Sequence, residues 1–309
     1  MKKALIVILT LIMSISFAGC GKVVFTTGIG EGNIMKLSGQ TMSKGEALFA
    51  FLKGIHEYNT SFGDGIWDRE INGMTMEDYL KTNIKARLSE TKSMCLFAEE
   101  KGVKTDSALL EEAEVSANEW IATLGEDYLN EHGVSTDDVK QFFVDELLSK
   151  KVYNTLIAGV DYEISDSETK VIEVYYIYFG NDEDAEGKAN EALTKAKAGE
   201  DFVSLVKEYS KDEDYDYIFG HNESYKEFED AAFALADSEI SDIVSCENGY
   251  YIIKCIEDYM IEETKANREK IVENLKKKAV EEEYIPFAKE LALEFDNDYW
   301  DSLKVSDYE

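Results

Sequence analysis

The spacing of apolar residues changes character twice along the chain. Over residues 41–159 the apolar positions recur at helical intervals, and Ser135 supplies a capping residue for one of the helices. The same period returns over residues 261–295, where Pro286 is expected to kink or interrupt the helix. The pattern therefore predicts two helical segments, of which the first contains a long helix from about Met76 to Lys101.

A stretch with strand-like composition lies between the helical segments. Val171–Phe179 is rich in β-branched and aromatic residues, which favours a buried strand. Helical patterns follow at 185–198 and after Asp201, and a shorter one covers Glu227–Leu235. The stretch ends with a second strand-like run, Gly249–Cys255. This order predicts a compact α/β unit placed between two helical segments.

The first residues have the pattern of an export signal. Two lysines precede a mostly apolar stretch, Ala4–Phe17, which is short for a membrane span and typical of a signal peptide. It ends in Phe17-Ala18-Gly19-Cys20, which resembles a bacterial lipobox, the motif whose cysteine is lipidated after cleavage. We therefore predict a lipoprotein signal peptide over 1–19 and lipidation of Cys20. Ordinary secretion and an uncleaved anchor are the alternatives.

Two short apolar runs after Cys20 predict a small hairpin. Val23–Thr27 and Ile34–Leu37 flank a stretch with three glycines. Because Asn33 stands where a further glycine would be needed, the stretch lacks the G-x-G-x-x-G motif of dinucleotide binding. A nucleotide site is therefore not expected there.

The composition narrows the classes of function. The chain of 309 residues has 32 basic and 64 acidic side chains, and a formal net charge of −32 argues against nucleic-acid binding. The same charge predicts salt-sensitive attraction to basic partners. Four cysteines are too few for a disulfide scaffold in a chain of this length. For Cys246 and Cys255, a disulfide and two buried free thiols both stay open.

The central unit resembles parvulin-type (PpiC-like) peptidyl-prolyl isomerases over about 171–257. The order of its elements matches that family, and so do five stretches as they stand in this sequence: Ala198-Gly199-Glu200-Asp201-Phe202, Tyr209-Ser210-Lys211-Asp212, Glu227-Phe228-Glu229-Asp230-Ala231-Ala232-Phe233-Ala234-Leu235, Glu239-Ile240-Ser241-Asp242-Ile243-Val244 and Asn248-Gly249-Tyr250-Tyr251-Ile252-Ile253-Lys254. The resemblance implies a domain that isomerises the peptide bond before proline.

The layout of the whole chain is similar to extracytoplasmic foldases of the PrsA/SurA type. In those proteins, helices from both ends of the chain form one chaperone domain, and the parvulin domain is inserted into it. The resemblance implies an α+β fold, with a mainly helical chaperone domain and an inserted parvulin-like α/β domain. The expected division is a signal peptide over 1–19, an N-terminal helical chaperone segment over 20–165, a parvulin-like domain over 166–258 and a C-terminal helix over 259–309.

The resemblance also implies three candidate catalytic residues. Asp212 falls where the family has an Asp or a Cys. Tyr176 and Tyr251 stand where the family has paired core histidines. A tyrosine keeps the ability to hydrogen-bond but loses the proton chemistry of histidine at neutral pH, so the active site is expected to be degenerate. A solvated loop acid is the alternative for Asp212, and core packing is the alternative for both tyrosines.

Two further residues are implied as the substrate-binding ones. Phe228 falls on the aromatic wall that grips the proline ring in the family, and core packing is its alternative. Tyr225, or Ser224 beside it, stands where the family has a Leu or Met before that aromatic residue. The glycine-rich stretch after the acidic loop is reduced to Tyr217-Ile218-Phe219-Gly220 in this sequence.

Other chemistries have weaker support. Asp212, Asp214, Asp216 and Glu223 have the spacing of a calcium-binding loop, but Tyr217 occupies the position that needs glycine. The three histidines are far apart, and neither H-E-x-x-H nor G-x-S-x-G occurs. We therefore expect no metal site and no cofactor.

Taken together, the export signal and the family resemblance imply a foldase lipoprotein, held at the extracytoplasmic face of the cell membrane through lipidated Cys20. Its expected partners are unfolded or proline-containing secreted polypeptides, and a homodimer stays open. The expected activity is peptidyl-prolyl cis–trans isomerisation, and the alternative is a holdase chaperone without isomerase activity. A structural or solute-binding lipoprotein is a further rival, against which the long helical segments argue.

Overall fold

The computed structural model describes residues 28–308, which form two compact units. One unit contains the described chain up to Gly159 and again from Ala279 onward, and the other contains Val160–Lys278. The second unit is therefore inserted into the first, which confirms the predicted α+β fold class. The predicted signal peptide, Cys20 and the run Val23–Thr27 lie outside the described residues.

The first unit is mainly helical. Its N-terminal part contains β1 (Asn33–Leu37), β2 (Gln40–Ser43), α1 (Lys44–Phe62), β3 (Glu70–Ile71), β4 (Met74–Thr75), α2 (Met76–Glu100), α3 (Ser107–Leu124), α4 (Glu126–Glu131) and α5 (Thr136–Ile157). The bounds of α2 agree with the helix expected at about 76–101. Phe49 of α1 lies at the centre of the core, where its ring contacts the rings of Trp120, Phe142 and Phe143.

A capping residue decides where the first helix begins. The Ser43 hydroxyl accepts the N–H of Glu46 at 2.9 Å, and the Glu46 carboxylate accepts the N–H of Ser43 at 2.8 Å. This reciprocal pair satisfies two backbone donors that the first turn of a helix leaves free. Helical structure therefore begins at Lys44 rather than at Thr41, because the residues just before it pair with β1.

The second unit is an α/β unit with one antiparallel sheet. It contains α6 (Asp166–Thr169), β5 (Ile172–Tyr178), α7 (Ala185–Lys197), α8 (Phe202–Tyr209), β6 (Asp216–Phe219), α9 (Lys226–Phe233), β7 (Val244–Cys246) and β8 (Gly249–Glu257). The strand order is β6-β5-β8-β7, and every neighbouring pair is antiparallel. The sequence pattern predicted the two central strands and both helices of the α7–α8 pair, but not the two edge strands.

The chain continues with α10 (Ile261–Ala288), β9 (Leu293–Phe295) and α11 (Asn297–Ser302), and a short 3-10 helix follows at Val305–Asp307. The first part of α10 belongs to the second unit, which extends to Lys278 rather than ending at the expected boundary of 258. Hydrogen bonds hold it there, because the Thr264 hydroxyl accepts the N–H of Val171 at 3.0 Å and Asn267 donates to the Thr169 carbonyl at 3.1 Å. Within residues 28–308, no helix is long and apolar enough to cross a membrane.

The C-terminal segment differs from its predicted form. Pro286 lies inside the last turn of α10, which ends at Ala288, so the expectation of helix up to Phe295 is wrong. Strand β9 instead pairs with β1, with Phe295 opposite Met35. β1 is then the middle strand of a three-stranded sheet in the order β2-β1-β9. Both edges of β1 are taken by these strands, and Val23–Thr27, the other half of the predicted hairpin, lies outside the described residues.

Candidate functional site

The alternation of side chains along β5 and β8 puts two of the candidate residues on one face of the sheet. Tyr176 of β5 and Tyr251 of β8 face α9, whereas Ile177 and Ile252, their neighbours in sequence, face α7 and α8. The two strands are adjacent and antiparallel, and the ring centroids of Tyr176 and Tyr251 are 5.9 Å apart. Two positions that are far apart in sequence therefore meet on this face.

Phe228 of α9 packs against the same face. Its ring is edge-on to Tyr176 at 5.9 Å and to Tyr251 at 5.2 Å between centroids. Edge-to-face pairs of this kind contribute roughly 0.5–1.5 kcal/mol each beyond their burial. The Phe228 side chain is only 3% exposed, so it forms the closed base of the aromatic cluster.

Asp212 reaches this cluster from the loop between α8 and β6. The Tyr176 hydroxyl donates to Asp212 Oδ2 at 3.3 Å. The loop is held to β5 by two bonds, because the Ser210 hydroxyl accepts the N–H of Tyr178 at 3.2 Å and Lys211 N donates to the Tyr178 carbonyl at 2.8 Å. Asp212 itself is exposed, so its carboxylate lies at the solvent edge of the cluster.

Burial raises the pKa of both tyrosine hydroxyls, which are protonated at neutral pH even at the ordinary tyrosine pKa near 10. It raises the pKa of Tyr251 to about 12, while the hydrogen bond from the Asn248 amide acts in the opposite direction. The pKa of Tyr176 is also raised, first by burial and then by the charge of Asp212 and the hydrogen bond to it. Both side chains therefore act as neutral hydrogen-bonding groups rather than as proton shuttles.

Tyr225 lies outside this cluster. It occupies the N-cap position of α9 and is 43% exposed. Within residues 28–308, the rings that contact Phe228 are those of Tyr176, Tyr217, Phe219 and Tyr251. The ring of Tyr225 is not among them. The structure thus brings together four of the five predicted catalytic and binding residues and leaves Tyr225 on the exposed rim.

The sequence analysis missed three members of the site. Tyr217 and Phe219 alternate along β6, and their stacked rings, 4.5 Å apart between centroids, line one side of Phe228. The spacing of two residues between these rings was a signal for a strand. Asn248, in the turn before β8, donates from Nδ2 to the Tyr251 hydroxyl at 2.6 Å. No pattern in the sequence pointed to that contact.

A buried carboxylate shapes the loop that leads into α9. Glu229, next to Phe228, accepts the N–H groups of Asn222, Glu223 and Ser224 at 3.1, 2.7 and 2.8 Å. Three backbone donors on one carboxylate hold the loop against the first turn of the helix. The hydrogen bonds of Glu229 therefore help to hold the neighbouring Phe228 in place against the sheet.

The structure contains neither the disulfide considered for the two cysteines nor the calcium-binding loop considered for the acidic stretch. Cys246 and Cys255 are both buried and free, so they are not joined by a disulfide. Asp216 lies in strand β6 opposite Tyr175, so residues 212–223 do not form one continuous calcium loop. Across the part of the chain that the structure describes, no group of three or more His, Cys, Asp or Glu side chains is arranged to hold a metal ion.

Comparison with known proteins identifies related domains and chains. Residues 179–257 match the model of the PPIC-type PPIASE (rotamase) domain, a range that contains Asp212, Phe228 and Tyr251 but not Tyr176. Foldase protein PrsA of Caldanaerobacter subterraneus is 25% identical over 257 residues, which cover 79% of this chain and 80% of that protein. Foldase protein PrsA of Oceanobacillus iheyensis is 32% identical over 155 residues, which cover 44% of this chain and 50% of that protein.

Solved structures give matches of the same kind. The crystal structure of the peptidylprolyl isomerase PrsA from Bacillus cereus is 24% identical and covers 70% of this chain and 85% of its own, with a TM-score of 0.37. The matched domain lies in the inserted unit, and the alignment with the first PrsA relative extends over most of the chain. The chain is therefore similar to PrsA foldases over most of its length, and its inserted unit contains a PpiC-type parvulin domain.

Proposed function

We propose that the chain is a membrane-anchored extracytoplasmic foldase whose inserted unit isomerises prolyl peptide bonds in secreted polypeptides. The observation that carries this proposal is the meeting of Phe228, Tyr176 and Tyr251 on one face of the sheet, with Asp212 bonded to Tyr176. An aromatic base suits a proline ring, and neutral hydroxyl groups beside it suit the adjacent amide.

The proposed reaction requires no covalent step. Rotation about the amide bond has a barrier of about 18–20 kcal/mol because the planar form is stabilised by resonance. An enzyme lowers this barrier by binding the twisted amide more tightly than either planar form. The twisted amide is less polar than the planar one, so an apolar aromatic surface favours it, and a hydroxyl donor can stabilise the electron pair that localises on the prolyl nitrogen.

The two tyrosines are assigned different roles in this proposal. The Tyr176 hydroxyl donates a hydrogen bond to Asp212, so its oxygen remains available to accept a hydrogen bond from the bound chain. Tyr251 accepts from Asn248, so its own proton remains available to donate. Asp212 fixes the direction of the Tyr176 hydroxyl and supplies a negative charge at the rim of the site.

The anchor and the helical unit complete the proposal. Lipidation of Cys20 would hold the chain at the outer face of the membrane, where secreted polypeptides emerge unfolded. The helical unit would hold such polypeptides while the inserted unit acts on their prolines. Its acidic surface would favour basic segments of those clients.

A second candidate function is supported by one observation about the same site. Phe228 is 3% exposed, so its ring is covered by protein side chains in this state. A site closed in this way fits a holdase chaperone that keeps the parvulin shell without isomerising prolines. The two candidates differ in a single measurable property, which is the rate of cis–trans exchange in a proline peptide.

The test compares the full chain with two variants in a prolyl isomerisation assay on short proline peptides. Asp212→Ala removes the partner of Tyr176, and we expect its kcat/KM to fall about tenfold, as the loss of one charge-assisted hydrogen bond would cause. Glu213→Ala removes the same charge one residue further along the exposed loop and serves as the matched control. A folded wild type that accelerates no exchange, yet suppresses the aggregation of an unfolded client, would replace the isomerase with the holdase.

A further inference from the structure

The Tyr251 hydroxyl has an unusual partner for a group in an aromatic cluster. Asn248 Nδ2 donates to it at 2.6 Å, so the phenol oxygen acts as an acceptor in this bond. Within the described part of the chain, no protein atom accepts the proton of Tyr251. The amide therefore orients the hydroxyl and leaves its proton for a group that enters the site from outside.

The amide of Asn248 is held at some energetic cost. Its Oδ1 atom is buried and has no hydrogen-bond partner among the described residues. A buried acceptor without a partner is rare in folded proteins and calls for an explanation. The unsatisfied Oδ1 atom belongs to the same side chain whose Nδ2 atom donates to the Tyr251 hydroxyl, so it lies next to the aromatic cluster.

The turn that carries Asn248 is fixed from two directions. Tyr178 donates from its hydroxyl to the Asn248 carbonyl at 2.8 Å, and its ring stacks on Tyr251 with centroids 4.9 Å apart. Gly249 has φ +144°, and a Cβ atom at that position would lie 2.5 Å from the carbonyl oxygen of Gly180. This close approach of two backbones leaves the turn little freedom to move.

We propose that Asn248 is the positioning residue of the isomerisation site, which orients Tyr251 so that its hydroxyl donates to the nitrogen of the twisting prolyl amide. This inference rests on the proposed isomerase function. As the amide twists, the electron pair localises on nitrogen, so a hydrogen bond to it strengthens toward the transition state. In this arrangement Tyr251 contacts the substrate, and Asn248 acts only through Tyr251.

The test is a double-mutant cycle on the full chain, with Asn248→Ala, Tyr251→Phe and the two together. We expect each single variant to lower kcat about tenfold with little change in KM. We expect the double variant to be no slower than Tyr251→Phe alone, because the amide has no function once the hydroxyl is gone. Asn181→Ala is the matched control, since Asn181 donates an amide hydrogen to the Glu247 carbonyl in the same turn without touching Tyr251.

A second variant and a spectroscopic measurement separate the inference from the function on which it rests. Asn248→Asp replaces the donor by a carboxylate that would accept a hydrogen bond from the Tyr251 hydroxyl and so turn it away from the substrate, and we expect its kcat to fall at least as far as that of Asn248→Ala. NMR of 13Cζ-labelled tyrosine should show the Tyr251 signal shifted in both Asn248 variants and unshifted in Asn181→Ala. These shifts report the orientation of the hydroxyl whether or not the protein is an isomerase.

Three results would overturn the inference in distinguishable ways. An active wild type with an unchanged Asn248→Ala variant would remove Asn248 from the mechanism. Losses that multiply in the double variant would assign Asn248 a role that does not pass through Tyr251. A folded but inactive wild type would refute the proposed function and the catalytic part of the inference together, and the NMR shifts would then show whether the pairing of Asn248 with Tyr251 exists on its own.

Discussion

A buried ion pair in the helical unit should control the stability of that unit alone. Lys92 Nζ lies 2.6 Å from Asp145 Oδ2, and the two side chains are 8% and 7% exposed. Lys92→Met would leave the Asp145 carboxylate buried, with the Gln141 amide as its remaining hydrogen-bond donor at 2.7 Å. Removing one partner of such a pair costs about 3–5 kcal/mol, because the other charge stays buried without compensation.

The tryptophans make this effect measurable on one unit. All three, Trp67, Trp120 and Trp300, lie in the helical unit, so tryptophan fluorescence during urea unfolding follows that unit and not the inserted one. We expect Lys92→Met to lower the free energy of unfolding of the helical unit by about 3–5 kcal/mol. The isomerase rate of the inserted unit should change little under conditions where the helical unit remains folded.

Two further variants define the outcome. Lys140→Met breaks an exposed pair with Glu114, and this control should cost less than about 1 kcal/mol. Adding Asp145→Leu to Lys92→Met removes the orphaned charge and should restore most of the lost stability. The reasoning fails if Lys92→Met is no more destabilising than Lys140→Met, or if the second substitution restores nothing.

Three other predictions follow from charges and contacts already described. Burial raises the pKa of Glu46, so the stability contributed by its protonated form is present below pH 4.5 and is lost as the pH rises through the raised pKa. Glu46→Gln should therefore stabilise the helical unit at neutral pH and flatten the pH dependence of its urea midpoint. A less stable variant would contradict this. Tyr176→Phe and Asp212→Ala act on one hydrogen bond, so their effects on kcat/KM should not add, whereas full additivity would show that the bond has no role. Asp212 and Asp214 place negative charge beside Tyr176. At low salt, peptides with Lys before proline should therefore be isomerised about fivefold faster than peptides with Glu at that position. A difference that persists at high salt would rule out this electrostatic cause.

The sequence predicted the parts of the fold whose signals are local. The long helix α2 and the start of α5 were predicted because helical periodicity and capping residues such as Ser135 lie within a few residues of the boundaries they set. The strands β6, β7 and β9 were missed because they are short and exist through pairing with distant segments. Leu293–Phe295 is a strand only because β1 lies beside it, which no local pattern records.

The candidate site was predictable to a similar extent. Tyr176 and Tyr251 could be placed together because side chains alternate along strands and the family resemblance matched both positions. Phe228 was predicted in the same way, although its degree of burial was not. The contact between Asn248 and Tyr251 depends on the exact geometry of a turn, and the two residues have no shared pattern in the sequence.

The division of the helical unit between the two ends of the chain has a consequence for biosynthesis. Strand β1 is near the beginning of the described chain, and its partner β9 is near the end. Because a ribosome makes the chain from the N-terminus, every residue of the inserted unit emerges before β9 and the core residue Trp300 exist. All residues of the inserted unit are thus present on the emerging chain before β9 is made, while the segment made first must wait for the segment made last. Translation that stopped before Leu293 would release a molecule with a complete parvulin domain and an unpaired edge on β1, a natural target for quality-control proteases.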